Sequence, residues 1–163
     1  MNDGVVIASG LIKSKPTGDK PIDETRRIVK IATDIVNTID RYLLPREPAL
    51  IAIEGLAFMA RNTTSLVQLS GLNYLMRIRL DERKIPFVLV APTSLKKFIT
   101  QKGNADKNLM MMEVYKKYGF ESLDDNVADG FSLAVVAQAV MGSPVKTLTI
   151  PEGEVIALIK KQL

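Results

Sequence analysis

The run Leu50-Ile-Ala-Ile-Glu54 narrows what this chain can fold into more than any other segment. Pro48 and Gly55 bound it, and its apolar, partly β-branched residues read as a short buried strand. Buried strands seldom finish in a carboxylate. In an open α/β sheet, binding and catalytic groups gather at the carboxyl ends of strands, which is where Glu54 stands. A second acidic cluster, Asp124-Asp125-Asn126-Val127-Ala128-Asp129, opens an apolar helical segment later in the chain. The chain has no His and no Cys, so carboxylates brought together by the fold point to a hard cation such as Mg²⁺ or Mn²⁺.

Absence of Cys removes thiolate catalysis, disulfides and Cys-based zinc sites. Absence of His removes the commonest general base. At 163 residues the chain fits one domain, 1–163, with 143–163 as a C-terminal extension. No apolar run approaches the roughly 18 residues of a membrane span, and no signal peptide is visible, so no membrane is expected and the location expected is the cytoplasm. The net charge is +4, and the cations cluster: Lys96, Lys97, Lys102 and Lys107 in one segment, Arg77, Arg79, Arg83 and Lys84 in another. Such clusters are either solvated helix faces or contacts to phosphates.

Along the chain, Gly4–Lys13 reads as a strand, and the Asn2-Asp3-Gly4 turn signal before it implies an earlier one. Asp23 to about Tyr42 reads as a helix with Ile28, Ile31, Ile35, Val36 and Ile39 on one face. A helix capped by Thr63 or Thr64 carries Leu66, Leu69, Leu72, Leu75 and Met76 at helical spacing. Pro86–Ala91 is a buried strand, and Pro92–Lys96 a loop entering a short helix. Asp106–Tyr118 is helical, with Met110, Met111 and Met112 filling core. Asp124 or Asp125 caps a helix from Asn126 to about Met141, before a strand at Val145–Ile150 and a short basic helix. Strands alternating with long helices give an α/β fold with a partly parallel sheet.

In that fold, Asn126 and Asp129, three residues apart on one helix face, can be aimed at Glu54. Asp124 and Asp125 read better as an acidic helix cap than as ligands. Asp129 sits within an apolar stretch, where a cap role is less natural.

Five segments occur in order: Ala52-Ile-Glu54, Phe58-Met-Ala-Arg61-Asn62, Ala91-Pro-Thr-Ser-Leu-Lys96, Gly103-Asn-Ala-Asp-Lys107 and Ala128-Asp129-Gly130. Together they resemble the RuvC-type Holliday-junction resolvases, more the phage-encoded branch than the bacterial one, over roughly residues 4 to 140. The resemblance implies a ribonuclease-H-like mixed sheet flanked by helices and a homodimer. It also implies Mg²⁺-dependent paired nicking of branched DNA, in the host cytoplasm if the chain is phage-encoded. By position, Glu54 and Asp129 match the family's catalytic carboxylates, and Lys96 and Lys107 match lysines near the scissile phosphate and backbone. Phe58 resembles the aromatic that wedges at the junction centre, Arg61 follows it as a DNA contact, and Asn62–Met76 matches the dimer helix.

Two departures stand beside the resemblance. The family's first aspartate lies on a strand preceding Gly4–Lys13. The sequence as written carries no such strand, and a late start is the preferred explanation; the written form is then expected to be weakly active or inactive. The family's Asp or His three residues before its last aspartate is here Asn126, which can ligate Mg²⁺ through its carbonyl but adds no charge. Asp125 is the alternative, though expected on a different helix face. A non-cleaving, branched-DNA-binding dimer is accordingly the competing reading.

Overall fold

The computed structural model describes residues 6, 8–43, 50–56 and 63–163. They form six helices and two strands: α1 Pro21–Leu43, β1 Ile51–Glu54, α2 Thr63–Glu82, β2 Phe87–Val90, α3 Pro92–Thr100, α4 Lys107–Tyr118, α5 Asp125–Val140 and α6 Ile150–Lys160. The two strands pair with each other. The Gly55 N–H, just past the end of β1, donates to the Val90 carbonyl at the end of β2, 2.8 Å away. Ends meeting ends makes the pair parallel, as expected for strands separated by a helix.

The chain divides into two compact units. One contains residues 1–11, 50–55 and 88–163; the other contains residues 12–49 and 56–87. The first is built on Val88, Val90, Leu95, Phe98, Ile99, Met110, Val114, Val135, Val136 and Ile159, all buried. The outer side of β2 is sealed by a side chain: Gln162 Nε2 donates to the Leu89 carbonyl and its Oε1 accepts the Leu89 N–H, each at 2.9 Å. That amide satisfies backbone groups that would otherwise offer themselves to another strand.

In the second unit, α1 packs along α2. Ala32, Val36 and Met76 form the buried centre, with Ile35, Ile39, Leu72 and Leu75 against it. The apolar face read into α1 is therefore the face it buries. On α2, by contrast, Leu72 and Met76 are spent on α1, while Val67, Tyr74 and Ile78 are more than half exposed. These three recur at helical spacing and make a second stripe, away from Leu72 and Met76.

Several sequence expectations change here. Residues 8–13 are exposed and, with Val6, belong to no strand; they have no ladder partner among the described residues. Val145–Ile150 is not a strand either. Thr149 and Glu152 form a capping box and Pro151 occupies the first turn, so helix starts at Ile150. The methionine run is core only at Met110; Met112 faces solvent, since neighbouring helical positions point in different directions. The helices α2, α4 and α5 begin within a residue or two of the expected positions. By contrast, α1 already starts at Pro21, ahead of Asp23. Pro92–Lys96, expected as a loop, is the start of α3, because proline suits the first turn of a helix.

Residues 143–163 belong to the first unit's core through Val155, Ile156 and Ile159. The α6 capping glutamate, Glu152, is fully buried. It accepts from the Thr149 N–H at 2.8 Å, from Lys146 at 3.0 and 3.1 Å, and from Lys117 at the end of α4 at 3.2 Å.

Gln101 closes α3 in the left-handed region, with φ 63°. A residue with a Cβ is strained there and glycine is not. Gln101→Gly is expected to stabilise the protein by about 0.5–1 kcal/mol, measured as a rise in the urea midpoint at unchanged slope.

Candidate active site and its relatives

Glu54 is the last residue of β1, and α5 packs against that strand, so its carboxyl is partly desolvated. Asp124 caps α5, its carboxylate accepting the Asn126 N–H at 2.9 Å. With that end fixed, Asp125 and Asp129 stand four residues apart on one helix face. The cap reading therefore holds for Asp124, whereas Asp125 shares the face of Asp129, contrary to expectation. A spacing of four is as good a same-face signal as the three that separates Asn126 from Asp129.

Burial pushes the Glu54 carboxyl above its ordinary value, the Asp129 charge pushes it further, and Lys96 pulls it back. The Asp129 carboxyl is likewise raised by burial, then by Asp125, and lowered by Lys107 and Lys96. Asp129 thus acts on Glu54, Asp125 acts on Asp129, and Lys96 opposes the rise at both Glu54 and Asp129, which ties these groups into one electrostatic cluster. The structure thus brings four of the expected residues together: Glu54, Asp129, Lys96 and Lys107. Lys96 comes from α3, which starts two residues beyond β2. Lys107 is the first residue of α4, held there by its neighbour Asp106, whose side chain accepts the Leu109 N–H at 2.8 Å.

Lys107 is not simply a solvated cation. Its ammonium donates to the Asp125 carboxylate, an ion pair absent from the sequence reading. That contact raises Lys107 and lowers Asp125. Asn126 is exposed, and its side-chain NH₂ donates to Asp124 at 3.1 Å. Phe58 and Arg61 lie outside the described residues.

Glu54 and Asp129 suit Mg²⁺. That ion commonly takes one or two carboxylates and completes its octahedron with water and substrate phosphate. The rise that Asp129 imposes on Glu54 is what a divalent charge would relieve. Among the described residues, no group of three or more His, Cys, Asp or Glu side chains is placed to hold a metal. These two carboxylates are, among the described residues, the donors that could be offered to a cation.

A small parallel strand pair flanked by helices is a mixed α/β arrangement that fits the ribonuclease-H-like class. The chain matches the family Crossover junction endodeoxyribonuclease RuvC over residues 2–137, and it belongs to that family. It is 28% identical over 134 residues to the Crossover junction endodeoxyribonuclease RuvC of Prochlorococcus marinus strain NATL2A, covering 80% of each chain. It is also 28% identical over 130 residues to that of Brachyspira hyodysenteriae, covering 80% of this chain and 76% of the other. Among solved structures it resembles Thermus thermophilus RuvC in complex with Holliday junction substrate, at TM-score 0.63 and 16% identity, covering 84% of this chain and 80% of that one. At that identity the likeness concerns the fold. Among the described residues, no helix is long and apolar enough to cross a membrane.

Proposed function

We propose that this chain is a junction-resolving endonuclease. It acts on four-way or branched DNA with Mg²⁺, or Mn²⁺ in its place, and works as a homodimer that makes paired nicks. The observation that carries the reading is the electrostatic coupling of Glu54 with Asp129, opposed by Lys96 and Lys107. Membership of the RuvC family supports the substrate class.

In this reading Glu54 and Asp129 hold the cation, with the Asn126 carbonyl as a neutral third donor. When bound, the metal activates water and stabilises charge on the phosphate oxygens. Lys96 and Lys107 orient the backbone and offset charge that builds on the scissile phosphate. Phe58 wedges at the junction centre and Arg61 contacts DNA, both assigned on the resemblance alone. The unit 1–163, with 143–163 as its C-terminal extension, would then act as one nuclease domain.

A synthetic four-way junction incubated with Mg²⁺ or Mn²⁺ tests the proposal. Symmetric nicks are expected. Tight junction binding with no nick in either metal would favour the second reading, a non-cleaving junction binder, for which the two-carboxylate site is the motive.

The dimer has a more specific prediction. Leu72, the natural choice for a charge insertion, packs in the α1–α2 core, so Leu72→Glu would unfold that unit rather than split a dimer. The exposed stripe of Val67, Tyr74 and Ile78 is the better candidate interface; Arg77 already stacks 4.5 Å over the Tyr74 ring. A stable contact there would bury on the order of 1,000 Å² or more. Tyr74→Glu is expected to give folded monomers by light scattering, while the parent is dimeric at micromolar concentration.

A further inference from the structure

Lys107 occupies an electrostatically poor position. It is the first residue of a helix, where the backbone dipole is positive and a cation is disfavoured. Its side chain is 77% exposed, so water alone could carry its charge. It nevertheless turns onto Asp125, whose own side chain is 27% exposed. Asp125 is not required as the cap of α5, because Asp124 already accepts the Asn126 N–H. Nor do the described residues offer Asp125 as part of a metal-binding trio. The two side chains come from the starts of α4 and α5, 18 positions apart, and meet beside Asp129, four residues along the same face of α5.

We propose that Asp125 is a positioning residue for Lys107. It keeps that ammonium beside Asp129 in the free protein and surrenders it to a DNA phosphate when the junction docks. The exchange rests on the nuclease reading above and assigns one residue within it. Asp125 acts as a resident stand-in for phosphate: an anion that pre-orients the lysine and competes modestly with the ligand. It is distinct from Glu54 and Asp129, whose charges serve the cation.

The test is a double-mutant cycle between Asp125→Asn and Lys107→Met, read first as four-way-junction affinity in buffer containing chelator and no metal. Without its carboxylate competitor, Lys107 is free for phosphate, so Asp125→Asn is expected to tighten binding about three- to tenfold near 0.1 M salt. In the Lys107→Met background the same change should leave affinity within about twofold. Asp125→Glu, which still reaches the ammonium, should behave as the parent. In Mg²⁺, Asp125→Asn should lower KM and also kcat, since the lysine is held less well, and leave the Mg²⁺ concentration for half-maximal rate unchanged.

Tightening that persists without Lys107 would reduce Asp125 to a general repulsive charge and overturn the proposal. A raised Mg²⁺ requirement in Asp125→Asn would make it a metal ligand and overturn it equally. A matching loss of unfolding stability in Asp125→Asn and Asp125→Glu, with no change in binding, would leave it a helix-end acid only. If the parent neither binds nor cuts junctions, the nuclease reading itself fails. If the parent does both and the cycle shows no coupling, only the role of Asp125 fails.

Discussion

Glu54→Gln is expected to abolish junction cleavage while leaving junction binding intact or tighter. The substitution keeps size and hydrogen-bonding capacity but removes half of the charge that Glu54 and Asp129 present to a cation. Losing several kcal/mol of stabilisation of the reacting phosphate corresponds to a rate lower by a factor on the order of 10³. Binding survives because it depends on the lysines, and a repelling carboxylate has been deleted. Single-turnover cleavage and chelator-buffered binding on one junction separate the two. Loss of binding in step with loss of cleavage would mean that Glu54 serves the fold.

The same pair sets a pH dependence. Both carboxyl groups are raised in the free protein, chiefly by burial, so they take up protons at a higher pH than ordinary carboxylates. On the proposed function, only the ionised forms would hold a cation. At limiting Mg²⁺, cleavage should therefore fall as pH drops through that raised range. Saturating Mg²⁺ should move the fall to lower pH.

The largest effect on stability is expected at Glu152→Ala. Burial alone would push this carboxyl up, but the Thr149 N–H and the Lys146 and Lys117 ammoniums hold it down to about 2. Its removal leaves a cavity under α6 and two lysines without their anion. Those lysines are 30% and 19% exposed, so water recovers part of the loss. A cost of about 3 kcal/mol, the lower end for breaking a buried pair, is expected in urea unfolding at pH 7. The sign with pH follows from a depressed carboxyl: its contribution is complete above about 4.5 and disappears as pH falls towards about 2. The gap between parent and variant should narrow across that window. An equal gap at pH 7 and pH 3 would show that packing, not charge, carries the effect.

Periodicity and capping made most of this legible. The Leu50–Glu54 run, bracketed by Pro48 and Gly55, reads as a strand because little else buries so short an apolar segment. The α1 face was visible for the same reason, since one helix side carries nearly all its isoleucines. The α2 helix was harder: it is apolar on two sides, and sequence alone gave no way to tell the side spent on α1 from the side left open. Strands were over-read at Val145–Ile150 and over residues 8–13, while Gly4, Val5 and Ile7 of the expected first strand lie outside the described residues. β-branched composition suits a strand, but a strand exists only where a partner supplies hydrogen bonds. At Thr149–Glu152 a capping box was present and outweighed that composition. The candidate site was legible as Glu54, Asp129 and two lysines. The Lys107–Asp125 pair was not, because it joins two helix starts that only tertiary packing brings together.

The unit that houses this site is discontinuous in the chain, closing over residues 50–55 and 88–163. Glu54 leaves the ribosome long before α5 does, so during synthesis it has no Asp129 to meet. Gln162, which seals β2, is made later still. In a nascent chain, Glu54 and Asp129 therefore cannot meet until α5 has emerged. The order of translation thus sets when Glu54 and Asp129 can come together.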